Sequence, residues 1–286
     1  MALGLAASVG LSWTASAALT TGPLSPYYLN NSSDQTIYVV QGTSVVDSFP
    51  LSYCGGIQFC EANLAIANGH VSTNWFGNGQ GSPGTAGQYT LDGTPTGVSW
   101  PTSPPPAGTT SQIIQDGTSD GTSNYTVELQ NDVGQPRVIA YDLQWQNPTV
   151  LFDVPSAHTG ITYDPVDNAL WISHFGNGTI SQYALDGTLL TSFGAATAGP
   201  TALAYDPADN TLWFGNQGGT NLFQYSKTGV LLQEGELSGL PGGAYNSGEI
   251  TAASVPPVPE PASLALLGTG LAGLWFAVRR RNRLPA

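Results

Sequence analysis

Three histidines, two cysteines and a scatter of aspartates are the residues of this 286-residue chain that could do chemistry. His70, His158 and His174 offer imidazoles to a divalent metal, and Asp164 or Asp206 could add carboxylate oxygen to such a site. His158 stands just before a strand-forming unit and His174 follows that unit's second strand, so both are expected to face one end of the central channel that such units enclose. The aspartates have a second use. Asp164, Asp167, Asp206 and Asp209 lie in two Asp-Pro-x-Asp-Asn runs, where acidic side chains bond nearby backbone and make turns without any metal. Cys54 and Cys60 bracket Gly-Gly-Ile-Gln-Phe, a loop short and glycine-rich enough to close into a local disulfide in an oxidising compartment. A metal site there would need further ligands at suitable spacing, and none is near. No G-x-S-x-G follows a strand, no phosphate-binding glycine loop precedes a helix, and the carboxylates are too scattered to nominate a glycosidase pair. The residues therefore support no catalytic assignment, no metal ligand set and no cofactor.

The elements that must position these residues repeat. Gly160 to Trp171 reads like Thr201 to Trp213, and Tyr163/Tyr205, Trp171/Trp213, Tyr183/Tyr225 and Gly187/Gly229 are each 42 residues apart. Within one unit an alternating run meets the Asp-Pro turn, Leu170-Trp171-Ile172 forms the next strand, and Gly176-Asn177-Gly178 and Asp186-Gly187 turn into two more. Weaker copies begin near Tyr28, Leu64 and Ile113, and Ala244-Tyr245-Asn246 opens a partial one that stops after two strands. Repeats of four short strands predict an all-β chain, a β-propeller of five to six four-stranded blades over residues 26–253. The tail near Glu249 to Val255 is expected to close the ring against the first unit, because an open ring exposes sheet edges. An array of immunoglobulin-like sandwiches is the alternative, and the 42-residue recurrence argues against it. Thr94 to Ser111 carries five prolines and is expected as a surface loop. The repeats resemble the broad NHL, SMP-30-like and YVTN-type propeller group. That group includes metal-dependent lactonases and lyases, so the resemblance implies a metal-dependent hydrolase or lyase as the alternative function.

Charged residues are only 9% of the chain, with 36 Gly and 21 Pro, a balance suited to a β-rich extracellular domain. From Ala18 to Pro259 there are 18 acidic residues against Arg137 and Lys227 alone, which makes a nucleic-acid partner untenable. Residues 1–17 read as a secretory signal peptide: a short apolar run, then the small-x-small site Ala15-Ser16-Ala17, without a preceding Lys or Arg. At the other end Pro259-Glu260-Pro261 is followed by the apolar stretch 262–278 and then Arg279, Arg280, Arg281 and Arg283. Seventeen helical residues reach about 25 Å, close to one hydrocarbon core, and the arginines stop transfer on the cytoplasmic side. Residues 256–286 resemble the PEP-CTERM sorting signal. The resemblance implies a Gram-negative bacterium, an exosortase that recognises Pro259, Glu260 and Pro261, and an association with exopolysaccharide and biofilm. The expected partners are exosortase, the secretion translocon, the inner membrane through the C-terminal helix, and exopolysaccharide. The expected course is export, transient anchoring in the inner membrane with the body periplasmic, then transfer to the cell surface or extracellular matrix. There the propeller is expected to bind extracellular polysaccharide or a surface protein without catalysis.

Overall fold

Alternating Tyr, Val, Ile, Leu and Thr residues, cut by Gly, Asp and Asn turns, become twenty short strands among the described residues of the computed structural model. Those residues are 17–53, 61–74, 84–102, 105–110, 112–155, 158–197, 199–216 and 218–251. The chain divides into two units, Met1–Thr251 and Ala252–Ala286, and the second contains no described residue.

The strands form five antiparallel four-stranded sheets. Blade 2 is β4 (Asn63–Ala67), β5 (His70–Asn74), β6 (Thr85–Thr90) and β7 (Pro95–Pro101). Blade 3 is β8 (Gln112–Ser119), β9 (Asn124–Asn131), β10 (Arg137–Tyr141) and β11 (Thr149–Asp153). Blade 4 is β12 (His158–Asp164), β13 (Ala169–His174), β14 (Thr179–Ala184) and β15 (Leu189–Gly194). Blade 5 is β16 (Pro200–Asp206), β17 (Thr211–Asn216), β18 (Asn221–Ser226) and β19 (Leu231–Glu236). Blade 1 joins the two ends of the domain: β1 (Tyr27–Asn31), β2 (Thr36–Gln41) and β3 (Ser44–Pro50) are completed on the inside by β20 (Tyr245–Ile250). The run at Tyr245 is thus no sixth unit. It pairs with β1 from Tyr27↔Ile250 to Asn31↔Tyr245 and closes the ring against the first unit as expected, but with residues 245–250 rather than the expected 249–255.

Both faces of each blade are covered by neighbours, so apolar side chains of both strand phases are buried in five clusters, one at each seam. Between blades 4 and 5, for example, Trp171, Leu203, Leu212 and Phe214 pack together, and between blades 5 and 1 Trp213 meets Tyr27 and Leu29. Each such side chain contributes ~1.5–3 kcal/mol on burial. The turns behave as their residues dictate. Asp164 Oδ1 accepts from the Val166 and Asp167 amides at 3.0 and 3.3 Å, Asn168 takes a left-handed φ of 50°, and Tyr163 Oη donates to Asn168 Oδ1 at 2.9 Å. Tyr205 and Asn210 repeat the clamp at 2.8 Å.

One expectation is corrected here. The proline-rich stretch is not wholly loop, because Pro95–Pro101 forms β7. It is the outer strand of its blade, where a missing N–H on the free edge removes no ladder bond. The expected membrane helix at 262–278 lies outside the described residues. Among the described residues no helix is long and apolar enough to cross a membrane.

Candidate functional site

The innermost strand of each blade, β20, β4, β8, β12 or β16, turns its free edge to the propeller axis, so its amides need acceptors there. One carboxylate supplies most of them. Asp116 on β8 has no exposed surface and accepts from Ser247 Oγ at 2.7 Å, from the Gly117 amide at 2.8 Å and from the Gly248 amide at 3.1 Å through Oδ1. Its Oδ2 accepts from the Ile161 and Leu203 amides, both at 3.1 Å. Blades 1, 3, 4 and 5 thus donate directly, and blade 2 joins through the Leu64 amide, which donates to Ser247 Oγ at 2.9 Å. Register shifts at Ile114/Gly117, His158/Gly160 and Thr201/Ala204 re-aim the inner strands at this level.

A second row follows two residues further along. The Tyr163 amide donates to Thr118 Oγ1 at 2.9 Å and the Tyr205 amide to Thr162 Oγ1 at 3.0 Å. Thr162 Oγ1 in turn donates to Glu249 Oε1 at 3.0 Å. The equal step in each strand shows that β8, β12 and β16 run in one direction, so the ring has a face where inner strands begin and a face where they end. Burial pushes the Asp116 carboxyl up to about 8, against the Ser247 hydroxyl and three amides that lower it. Burial likewise pushes Glu249 well up, opposed by the Thr118 and Thr162 hydroxyls and reinforced by the charge of Asp116. Raised carboxyls in a cleft would suggest general acid catalysis, but Asp116 is enclosed and both of its oxygens are filled. The axis is a lock between blades. Sequence reasoning missed it, since four of the five donors are backbone amides and three of those come from other blades.

The structure brings His158 and His174 together: they pair across β12 and β13 with ring centroids 5.2 Å apart. The other candidate metal ligands do not join them. His70 begins β5, at the end of the ring opposite to His174, and Asp164 ends β12 six residues, roughly 20 Å, from His158. His174 Nδ1 accepts from the Gly176 and Asn177 amides at 3.0 and 3.1 Å, which places the ring proton on Nε2 and commits the imidazole to its turn. Among the described residues no three His, Cys, Asp or Glu side chains converge to hold a metal. The metal site of the lactonase-like alternative is therefore not assembled from the residues that suggested it.

Both cations of the propeller are engaged. Arg137 grips Glu128 with Nη2 on Oε1 at 2.7 Å and Nε on Oε2 at 2.8 Å. Lys227 bridges Asp164 and Asp167 at 2.8 and 2.7 Å. Trp100, Trp145, Trp171 and Trp213 are buried, so none of these rings is a platform for a sugar. Of the residues expected at the chain ends and in the cysteine loop, Ala15, Cys54, Cys60, Pro259, Glu260, Pro261, Arg279, Arg280, Arg281 and Arg283 lie outside the described residues. Ala17 is described, and its carbonyl accepts from the Glu236 amide of β19 at 2.8 Å.

Residues 257–281 match the PEP-CTERM protein-sorting motif. This motif marks an exported protein that is transiently anchored in the membrane by a terminal segment and processed by exosortase. No curated protein matches the chain. Similar solved structures include a protein of unknown function from Bacteroides caccae, 14% identical over 77% of this chain and 76% of that one, with a TM-score of 0.46. A nidogen/laminin complex shares 13% identity over 79% and 98% of the two chains, with a TM-score of 0.49. A catalytically inactive virginiamycin B lyase from Staphylococcus aureus with quinupristin shares 17% identity over 78% and 70%, with a TM-score of 0.45. The five-blade architecture of this chain rests on its own strand pairing.

Proposed function

We propose that this protein is delivered to the cell surface or the extracellular matrix, where the propeller serves as a non-catalytic interaction module that binds extracellular polysaccharide or a surface protein. The observation that carries the reading is the sorting motif at 257–281, which follows a ring whose last strand ends at Ile250. The filled axis supports a rigid module over an enzyme, because the propeller channel is where a shared reaction centre would have to form. A secretory leader cleaved after Ala17 completes the route, and exosortase acting at Pro259-Glu260-Pro261 releases the body from its temporary anchor. The acidic surface favours neutral or basic partners over acidic polymers.

The test follows the protein through a strain that contains the processing enzyme. Replacing Pro259, Glu260 and Pro261 with alanine is expected to leave the full-length chain in the inner membrane, while the parent reaches the surface or matrix fraction without its tail. Normal processing of the variant would refute the sorting route. Matrix-fraction pull-down with the parent is expected to retain polysaccharide or a surface protein, and turnover of a lactone substrate would favour the hydrolase reading instead.

A further inference from the structure

We propose that residues 18–25 are an exchangeable strap, and that the edge of blade 5 which receives it also receives the strap of a second copy of this chain. The inference goes beyond the sorting role and does not depend on it.

The strap is seated across blade 5 by bonds to residues distant in sequence. Ala18 makes a parallel bridge with Glu236, and the Leu19 amide donates to the Glu236 carbonyl at 3.3 Å. Thr20 Oγ1 and the Thr21 amide donate to Gln233 Oε1 at 3.1 and 3.3 Å, while Gln233 Nε2 donates to Thr21 Oγ1 at 2.6 Å. Leu19 is buried in the cluster that holds Leu237 and Leu240. Gly235 is the floor of this seat: a Cβ there would stand 2.6 Å from the Ala17 carbonyl oxygen and the Leu19 amide. The far end is tied to Asp206, whose Oδ2 accepts from the Leu24 and Ser25 amides at 3.0 and 3.3 Å and whose Oδ1 accepts from Ser25 Oγ at 2.9 Å.

The internal repeat shows what this seating displaces. In blade 4, Asp164 takes Trp171 Nε1 at 3.2 Å together with Lys227. In blade 5, 42 residues later, Asp206 gives its oxygens to the strap, and the buried Trp213 Nε1 has no partner. Asp206 thus has two discrete arrangements available, strap-bound or tryptophan-bound, as a two-state element requires. No strand of the five sheets belongs to the strap, so it can leave without opening a blade. Asp206 aside, its body-side end is held more lightly, by the Gly42 amide on the Pro23 carbonyl at 2.8 Å and Gln41 Nε2 on the Leu24 carbonyl at 3.0 Å, so the strap of 18–25 would leave as a whole from Pro26, the residue before β1. An outer strand with free amides accepts any matching strand, and exchange of an identical element between copies is a low-cost route to assembly. Cleavage after Ala17 would also remove the carbonyl that now pairs with the Glu236 amide, which loosens the strap in its own chain.

Two full-length preparations with different tags are mixed in detergent over a range of concentrations, and one tag is isolated. The expected result is mixed species that grow with concentration, reduced at least tenfold when both preparations carry Leu19→Asp, with a Trp emission change only in the Leu19→Asp chain, where the released strap frees Asp206 for Trp213. Leu19 lies outside every blade strand, so circular dichroism is expected to stay at the parent value. Gly235→Val in both preparations is a second block from the acceptor side. Mixed species that persist unchanged in the Leu19→Asp pair would place the association elsewhere, including the shared tail, and would overturn the proposal. So would the absence of mixed species at every concentration.

Discussion

Replacing Asp116 with asparagine tests whether the axis is a lock. The exchange keeps size and shape but converts one acceptor oxygen into an NH2 group. With the amide nitrogen at the Oδ2 position, the Ile161 and Leu203 amides lose their acceptor and face a donor. Turned the other way, the Gly117 and Gly248 amides do. Either rotamer therefore orphans two buried N–H groups, each costing about 1–3 kcal/mol, so the variant is expected to lose ~2–6 kcal/mol whether Asp116 is ionised or protonated in the parent. Against a total stability of roughly 5–15 kcal/mol this is a large share. Urea unfolding followed by Trp fluorescence reads it directly, since Trp171 and Trp213 are buried in seams on either side of blade 5. With a slope near 3 kcal/mol per M, the midpoint is expected to fall by about 0.7–2 M. Ser247→Ala removes the acceptor for the Leu64 amide as well as one donor to Asp116. Because the two residues share one network, the double variant is expected to lose less than the sum of the singles. An Asp116→Asn midpoint within ~0.3 M of the parent, or strict additivity with Ser247→Ala, would refute the lock.

Three further outcomes are expected. Asp116 and Glu249 both have folded pKa values raised above their unfolded values, so their contribution is full below about pH 4 and is lost as pH rises, for Asp116 through about 8. Melting temperature is therefore expected to fall between pH 5 and 9, less steeply in Asp116→Asn, and a rise over that window would contradict the assignment. Lys227→Met strips the buried Asp164 of its cation and is expected to cost ~2–4 kcal/mol, whereas Asp167→Asn at the exposed side of the bridge is expected to cost below ~1 kcal/mol. Equal losses in the two denaturation curves would show that burial of Asp164 is not what matters. Reduction of the expected Cys54–Cys60 bridge should raise the mass by two hydrogens and speed proteolysis between residues 51 and 62 with little change in the global melting temperature. Global unfolding on reduction would show that the bridge supports the ring.

The blades were legible wherever two copies could be laid side by side. Trp171/Trp213 and Gly187/Gly229 repeat because each occupies the same seam position, and Gly187 and Gly229 admit the neighbouring Phe152 and Phe193, which would meet a Cβ at 2.7 and 2.6 Å. Closure near Glu249 was legible too, from the need to cover an edge. What could not be read is whatever depends on the ring being shut. Asp116 meets Leu203 and Gly248 across 87 and 132 residues, through backbone that any side chain would offer. The partial copy at Tyr245 misled because an inner strand looks the same whether it opens a blade or completes one. The histidines raised a metal site only as the alternative, and strand direction decides against it. Their types fit a metal, but β-strand directions place His70 and His174 at opposite ends of the ring.

A ring of five blades brings the free edges of its inner strands close enough that water cannot serve every amide, and two rows of polar side chains serve them here. A single carboxylate has about four lone-pair sites, and Asp116 engages all five blades when Ser247 relays the fifth. That arrangement fastens first and last strands together, because β20 supplies both Ser247 and Gly248.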